Sequence, residues 1–414
     1  MGDHLQNIAV SICGSLSGEC ICALDLPTGS KVKNVKSHLR ALQWTSRFCQ
    51  RLVLAESDSA LHDDLSLTSL PQPLELTYTK LAHITDVEMG MQLLKAARDG
   101  NGTLTHELLN LPAWPDYADV RDRTPLYFAA SEGHSDVIRL LCEAGAQVSK
   151  ASLGGVTPLF VAAQRGHLEV VQILCEAGAE KDKAKDDGST PLCIAARRSR
   201  LKVVQFLCDA GARKEQATHN GMTPLYIAAD SGHVDVVRLL CEAGADKDKE
   251  RQDGMTPLCI AARHGKVEVV RLLCEAGADK DKPIQGGAGG APLHEAVHKG
   301  HLDVVRLLCN MGADFNKQQE GGATPLCIAV ACASSELTLL LLQARAERDK
   351  SMHDGTTPLM IAAEAAHLQL AQLLCREGAD QKKTRDDGAT PLSIAACNNQ
   401  LNLVLFLSAS QEDQ

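Results

Sequence analysis

The chain has 414 residues, 42 Lys and Arg against 52 Asp and Glu, a formal net charge of −10, and only 3% aromatic residues. That length exceeds one ordinary core and points to several domains or a repeat array. The acidic balance argues against a chain built mainly to coat nucleic acid, and it leaves the core to Leu, Val, Ile, Ala and Cys. No stretch reaches the ~18 uninterrupted apolar residues of a membrane span. The start, MGDHLQNIAV, lacks the basic region and long apolar run of a secretory signal, and Gln6 stands where a myristoylation site prefers Ser or Thr. The expectation is a soluble cytoplasmic protein, with the nucleus as the other compartment and no membrane partner.

Residues 1–80 read as a first domain. Ile8–Ile12 has strand composition, 14–18 reads as a hairpin turn, and Glu19–Leu26 alternates as a second strand. Val32, Val35, Leu39 and Leu42 fall at helical spacing, and Leu52-Val53-Leu54 and Leu74–Tyr78 supply later strands. Strand, strand, helix, strand, strand is the order of a β-grasp. VKNVKSHL (32–39), QRLVLA (50–55), and Leu65-Ser66-Leu67 followed by Leu74-Glu75-Leu76 resemble the helix start, third strand and closing segment of ubiquitin-like domains. The resemblance implies a fused docking or solubilising module. The chain runs on through Thr79-Lys80-Leu81-Ala82 and offers no free Gly-Gly end for conjugation. The receptor-binding patch of ubiquitin maps onto Leu16, Val53 and the polar Thr77. Residues 81–90 read as a linker.

From residue 91 the chain repeats. Thr-Pro-Leu begins at 124, 157, 190, 223, 256, 324, 357 and 390, and Ala-Pro-Leu at 291, with one step of 35 among steps of 33. A further unit, 91–123, keeps the register through Ala96-Ala97 without the motif. Thr is an N-cap and Pro fits the first helical position. The Ala pair allows close helix approach, Gly166-His167 and its counterparts break the first helix, and Leu168–Cys175 gives a second. Gly178 and its counterparts end that helix in a left-handed conformation. This period and motif resemble the ankyrin repeat over about 91–414. The fold class expected is mainly α, an ankyrin solenoid of about ten helix-turn-helix units behind a small α+β ubiquitin-like domain.

The resemblance implies a concave face, lined by fingertips and exposed ends of first helices, that binds other proteins. It implies no shared catalytic residues and no cofactor. The function expected is an interaction scaffold or adaptor and not an enzyme; a regulatory subunit of the ubiquitin or proteasome pathway is the alternative. Gln164-Arg165, Arg197-Arg198, Asp230-Ser231, Arg263-His264 and His298-Lys299 end successive first helices. Aligned, Arg165, Arg197, Arg198, Arg263, His264, His298 and Lys299 form a mostly basic stripe suited to an acidic segment of a partner.

His294-Glu295-Ala296-Val297-His298 spells H-E-x-x-H, which on a helix could bind zinc with Glu295 as base, the signature of a zinc hydrolase. The competing assignment is stronger: His294 occupies a regular place in the ankyrin motif, so no metal site is expected. His134, His167, His233, His301 and His367 recur at the turn and read as structural. Cys142, Cys175, Cys208, Cys241, Cys274, Cys309 and Cys375 share one helix position. Equivalent points on stacked helices lie roughly 8–10 Å apart, beyond the ~7 Å Cα limit of a disulfide, so free thiols are expected. Runs such as Glu180–Lys183 and Ala245–Lys249 read as solvated finger surface, and Asp186-Asp187-Gly188 as a turn. Two departures stand out. Leu405 takes a position that is Arg or Gln in most second helices, which predicts a covered surface. Arg345 takes the place of Gly145, Gly178, Gly211, Gly244, Gly277, Gly312 and Gly378, which predicts a weak repeat between Thr324 and Gly355.

Overall fold

The computed structural model describes residues 7–14, 20–27, 50–54, 74–80, 87–110, 114–284 and 289–412. The chain divides into two compact units, Met1–Asp186 and Asp187–Gln414.

The first unit holds four strands, β1 (Asn7–Gly14), β2 (Cys20–Pro27), β3 (Gln50–Leu54) and β4 (Leu74–Lys80), in one sheet of order β2-β1-β4-β3. β1 runs antiparallel to β2 and parallel to β4, and β3 runs antiparallel to β4 with Val53 opposite Thr77. The helix read at Val32–Leu42, the hairpin turn, Leu16 and Leu65–Leu67 lie outside the described residues.

Six helices complete this unit: α1 (Val87–Asp99), α2 (Gly102–Asn110), α3 (Pro125–Glu132), α4 (Ser135–Glu143), α5 (Pro158–Arg165) and α6 (Leu168–Glu176). α1 begins inside the stretch read as linker. It runs for 13 residues because the Thr-Pro start signal, which fixes the other first helices, is missing there.

The second unit is a stack of helix pairs: α7 (Pro191–Arg197) with α8 (Leu201–Asp209), α9 (Pro224–Ser231) with α10 (Val234–Glu242), and α11 (Pro257–Arg263) with α12 (Val267–Glu275). α13 (Pro292–His298) pairs with α14 (Leu302–Asn310), α15 (Pro325–Ala331) with α16 (Ser335–Gln343), α17 (Pro358–Glu364) with α18 (Leu368–Arg376), and α19 (Pro391–Cys397) with α20 (Leu401–Glu412). Within each unit first helices pack on first helices and second on second.

These helices, mostly 7 to 9 residues, are too short to persist alone in water, so packing must hold them. The Thr of each motif caps its helix, as where Thr157 Oγ1 accepts from Phe160 N at 3.1 Å. The following Leu is buried, at most 1% exposed from Leu126 through Leu359, which stabilises each unit by about 2 kcal/mol. The paired alanines are buried from Ala129-Ala130 through Ala362-Ala363, and in the last repeat Ala395 is buried while Ala396 is exposed.

Both turns of the repeat need positive φ. Gly133, Gly166, Gly232, Gly265 and Gly300 supply it after the first helix, where Ser199, Ala333, Ala366 and Asn399 adopt it with side chains. After the second helix, Gly178 N donates to Cys175 O and Ala179 N to Leu174 O, the Schellman pattern that satisfies the last carbonyls. Arg345 keeps the same bonds, to Leu342 O and from Ala346 N to Leu341 O, at φ 70°. Its helix is not extended; the strain is accepted.

Candidate functional site

The exposed ends of the first helices are fixed from behind. His233 Nε2 donates to Arg197 O at 3.0 Å and His301 Nε2 to Arg263 O at 2.9 Å. In the first unit His134 Nε2 donates to Arg98 O and His167 Nε2 to Ser131 O, each at 3.0 Å. The acceptor is a carbonyl in every case, so Nε2 carries the proton. These histidines are staples between successive repeats, which specifies their structural role.

The basic row is not uniform. Arg263 Nε bonds Glu295 Oε2 at 2.7 Å, and His264 Nδ1 lies 2.9 Å from Asp230 Oδ1. Each pair ties one repeat to the next and cancels charge in the middle of the row. Among the described residues no ion pair engages Arg197, Arg198, His298 or Lys299, and Arg198, His298 and Lys299 are exposed. Arg165, in the first unit, is also exposed.

The H-E-x-x-H sequence cannot act as a zinc motif in this fold. His294 is 2% exposed; its Nδ1 accepts from Ala291 N at 3.1 Å and its Nε2 donates to Lys317 O at 2.9 Å. Both ring nitrogens are occupied, and burial holds the ring's pKa below its ordinary value, favouring the neutral form. Glu295 is held by Arg263, and His298 is exposed. His294 instead accepts the N–H of the residue that begins its helix, Ala291, as Ser393 Oγ does from Thr390 N. Cys193 and Cys327 fill the same repeat position and direct Sγ to Gln216 O and Lys350 O. Among the described residues no cluster of His, Cys, Asp or Glu could hold a metal ion. The twelve cysteines from Cys142 to Cys397 are all free. Burial pushes the thiols of Cys142, Cys274, Cys309 and Cys375 up to about 11, away from the reactive thiolate.

The finger charges are more than solvated surface. Asp248 Oδ1 accepts from Asp279 N at 3.0 Å, Asp281 Oδ1 from Asp314 N at 2.8 Å, and Asp349 Oδ1 from Asp380 N at 2.8 Å. Asn316 does the same for Glu347 N, Glu215 for Asp246 N and, in the first unit, Ser149 for Glu180 N and Asp116 for Gln147 N. A side-chain acceptor in one finger grips the backbone of the next. The signal was present as a polar acceptor recurring in phase with the repeat, but a polar loop residue reads as solvent-facing until its neighbour is placed. Asp187 Oδ1 accepts from Ser189 N at 2.8 Å, the turn expected there.

Composition alone also missed the fingertips of the first unit. Val120 is 95% exposed and Leu153 63%; Leu153 N donates to Arg121 O at 2.9 Å, which sets the two tips side by side. Leu405, expected to be covered, is 58% exposed in the isolated chain.

The stacked helix pairs, threonine caps and finger bonds agree with sequence comparison. The family model for ankyrin repeats matches overlapping blocks 93–185, 178–251, 212–284, 243–319, 283–349 and 326–414. The chain belongs to the ankyrin-repeat family. No curated protein matches it. Ankyrin repeats are generic protein–protein interaction modules, so the functional residues of this ankyrin protein are sought among side chains that its repeats hold at the surface without using. No helix described is long and apolar enough to cross a membrane.

Proposed function

We propose that this ankyrin protein is a scaffold or adaptor of the cytoplasm or nucleus that binds an acidic segment of a partner protein on the concave face. Arg197 and Arg198 carry the reading. Their backbone is pinned by the His233 staple, and no acid among the described residues pairs with their side chains, so their charge is available to a partner. His298 and Lys299 extend the basic surface in the second unit; Arg263 and His264 are engaged by Glu295 and Asp230 and contribute less, and Arg165 is an exposed cation of the first unit. Binding of this kind weakens as salt rises. The test is affinity purification with the full chain and with residues 81–414, followed by titration of the recovered partner against Arg197→Glu, Arg198→Glu. About a tenfold loss of affinity that shrinks with added salt is expected; unchanged affinity refutes the reading.

A second reading concerns the first domain. A sheet of order β2-β1-β4-β3 with β1 and β4 parallel supports a ubiquitin-like module, and a docking handle for the ubiquitin or proteasome pathway is the role that follows. Val53 and Thr77 face one another across β3 and β4. The comparison of full chain with array separates partners of this domain from partners of the repeats.

A further inference from the structure

Repeat 324–356 carries a side chain at both positions where the backbone turns left-handed: Ala333 at φ 55° and Arg345 at φ 70°. Among the described residues no other repeat does so. A Cβ in this conformation presses on the following carbonyl oxygen, so each position is strained.

The histidine staple is also missing at this junction. At Gly100, Gly133 and Gly265 an added Cβ would lie 2.6, 2.7 and 2.8 Å from the histidine ring of the next repeat. Those are the rings that staple His134 to Arg98, His167 to Ser131 and His301 to Arg263. The ring is seated against the glycine, and it makes its bond from that seat. Ser199 carries a side chain at the equivalent turn and His233 still reaches Arg197 O, so the seat tolerates a Cβ, yet at Ala333 no staple forms. The corresponding ring, His367, has no hydrogen-bond partner among the described residues.

The other side of the repeat lacks a staple too. Ser334 stands where a histidine would reach back to the preceding repeat, and its Oγ instead accepts from Leu337 N of its own helix at 3.3 Å.

Two open clefts flank the junction with repeat 357–389. One, of about 410 Å³, is lined by Ala333, Ser335, Ala366, His367 and Leu368 at the helix turns. The other, of about 540 Å³, is lined by Arg345, Arg348, Asp349, Glu377 and Lys383 at the fingers. Strain at both turns, a missing staple and open clefts on both sides therefore coincide at one place.

We propose that the junction between repeats 324–356 and 357–389 is a hinge, where the second unit opens first and residues 357–412 come away together. In a linear array each repeat is held only by its neighbours, so a poor interface becomes the site of opening.

Native-state hydrogen exchange on the full chain tests this. Amides of 324–412 should exchange at least about tenfold faster than those of 223–255. Ala333→Gly should slow exchange across 324–376 several-fold, because relief of a positive-φ strain outweighs the added freedom of glycine in the unfolded chain. Arg345→Gly should slow it further. His367→Ala should change nothing, since its ring holds nothing. Equal protection of 324–356 and 223–255 in the parent overturns the hinge. Ala333→Gly that leaves exchange unchanged or faster overturns its cause.

Discussion

At the residue scale, the position that follows Thr-Pro-Leu shows how one geometry accepts different chemistry. His294, Cys193 and Cys327 all point at a carbonyl 23 residues ahead. Of the three, His294 alone also receives the N–H of the residue that begins its helix, Ala291, as Ser393 does from Thr390. His294→Ala would leave a buried donor and a buried acceptor unpaired, and is expected to cost about 2–4 kcal/mol at ~1–3 kcal/mol per orphaned group plus lost packing. His294→Cys, which copies the neighbouring repeats, should cost less than half as much. Urea denaturation of the three proteins decides this, and a His294→Ala chain as stable as the parent would remove the capping role. The motif letters were legible in the sequence, and so was their conflict with the repeat register. What the letters could not give was where each ring nitrogen goes, since Lys317 O enters the site only after the next finger has folded over it.

At the scale of the element, the finger is a pair of coupled devices. Asp246 Oδ1 closes its own turn by accepting from Asp248 N at 2.9 Å, and Asp248 then accepts from Asp279 N in the next finger. The same pair recurs at Asp279 and Asp281, and at Asp314 and Asn316. Asp248→Ala should destabilise the chain by about 1 kcal/mol, the usual net value of one such bond. Asp248→Asn keeps an acceptor oxygen and should recover most of that. A shift in urea midpoint identical for Ala and Asn would mean that charge, not the bond, matters. Helices were easier to read than fingers for a physical reason. A helix advertises itself within its own segment, through caps, prolines and apolar spacing, whereas the finger ladder joins atoms 31 residues apart and leaves only a periodic polar residue as a trace. The first helix α1 shows the converse: without Thr-Pro its start at Val87 had no local mark.

For the whole molecule, pH reports how far carboxylates are committed to the folded state. The Arg385 guanidinium holds Asp387 down to about 2. Arg251 likewise lowers Asp253, and the Thr356 backbone N–H lowers Asp354. A carboxylate whose folded pKa is depressed contributes stability above its unfolded value of about 3.9, and loses it as the pH falls towards the folded value. The urea midpoint should therefore show no contribution from these groups to its change between pH 7 and 5, and should fall between pH 4 and 2. The combined Asp253→Asn, Asp354→Asn, Asp387→Asn variant should be less stable at pH 7 and less sensitive to acid. A variant with the parent's acid profile would show that these bonds exist equally in the unfolded chain. The repeat register, and with it the family, was legible from a single sequence because each unit repeats the same physical solution. The unevenness of the basic row was not, because Glu295 and Asp230 lie in neighbouring repeats and their reach depends on stacking.

The finger ladder makes the repeats interchangeable parts. Glu215 grips Asp246 as Asp248 grips Asp279, so donor and acceptor are the same groups at successive joints. Excision of one 33-residue period from this stretch would set Glu215 opposite Asp279 with the grip intact, and the 35-residue step from Thr256 to Ala291 keeps its grip too, from Asp314 N to Asp281 Oδ1. The bonding between neighbours thus acts as a reading frame in space: it permits the array to lengthen or shorten by whole units.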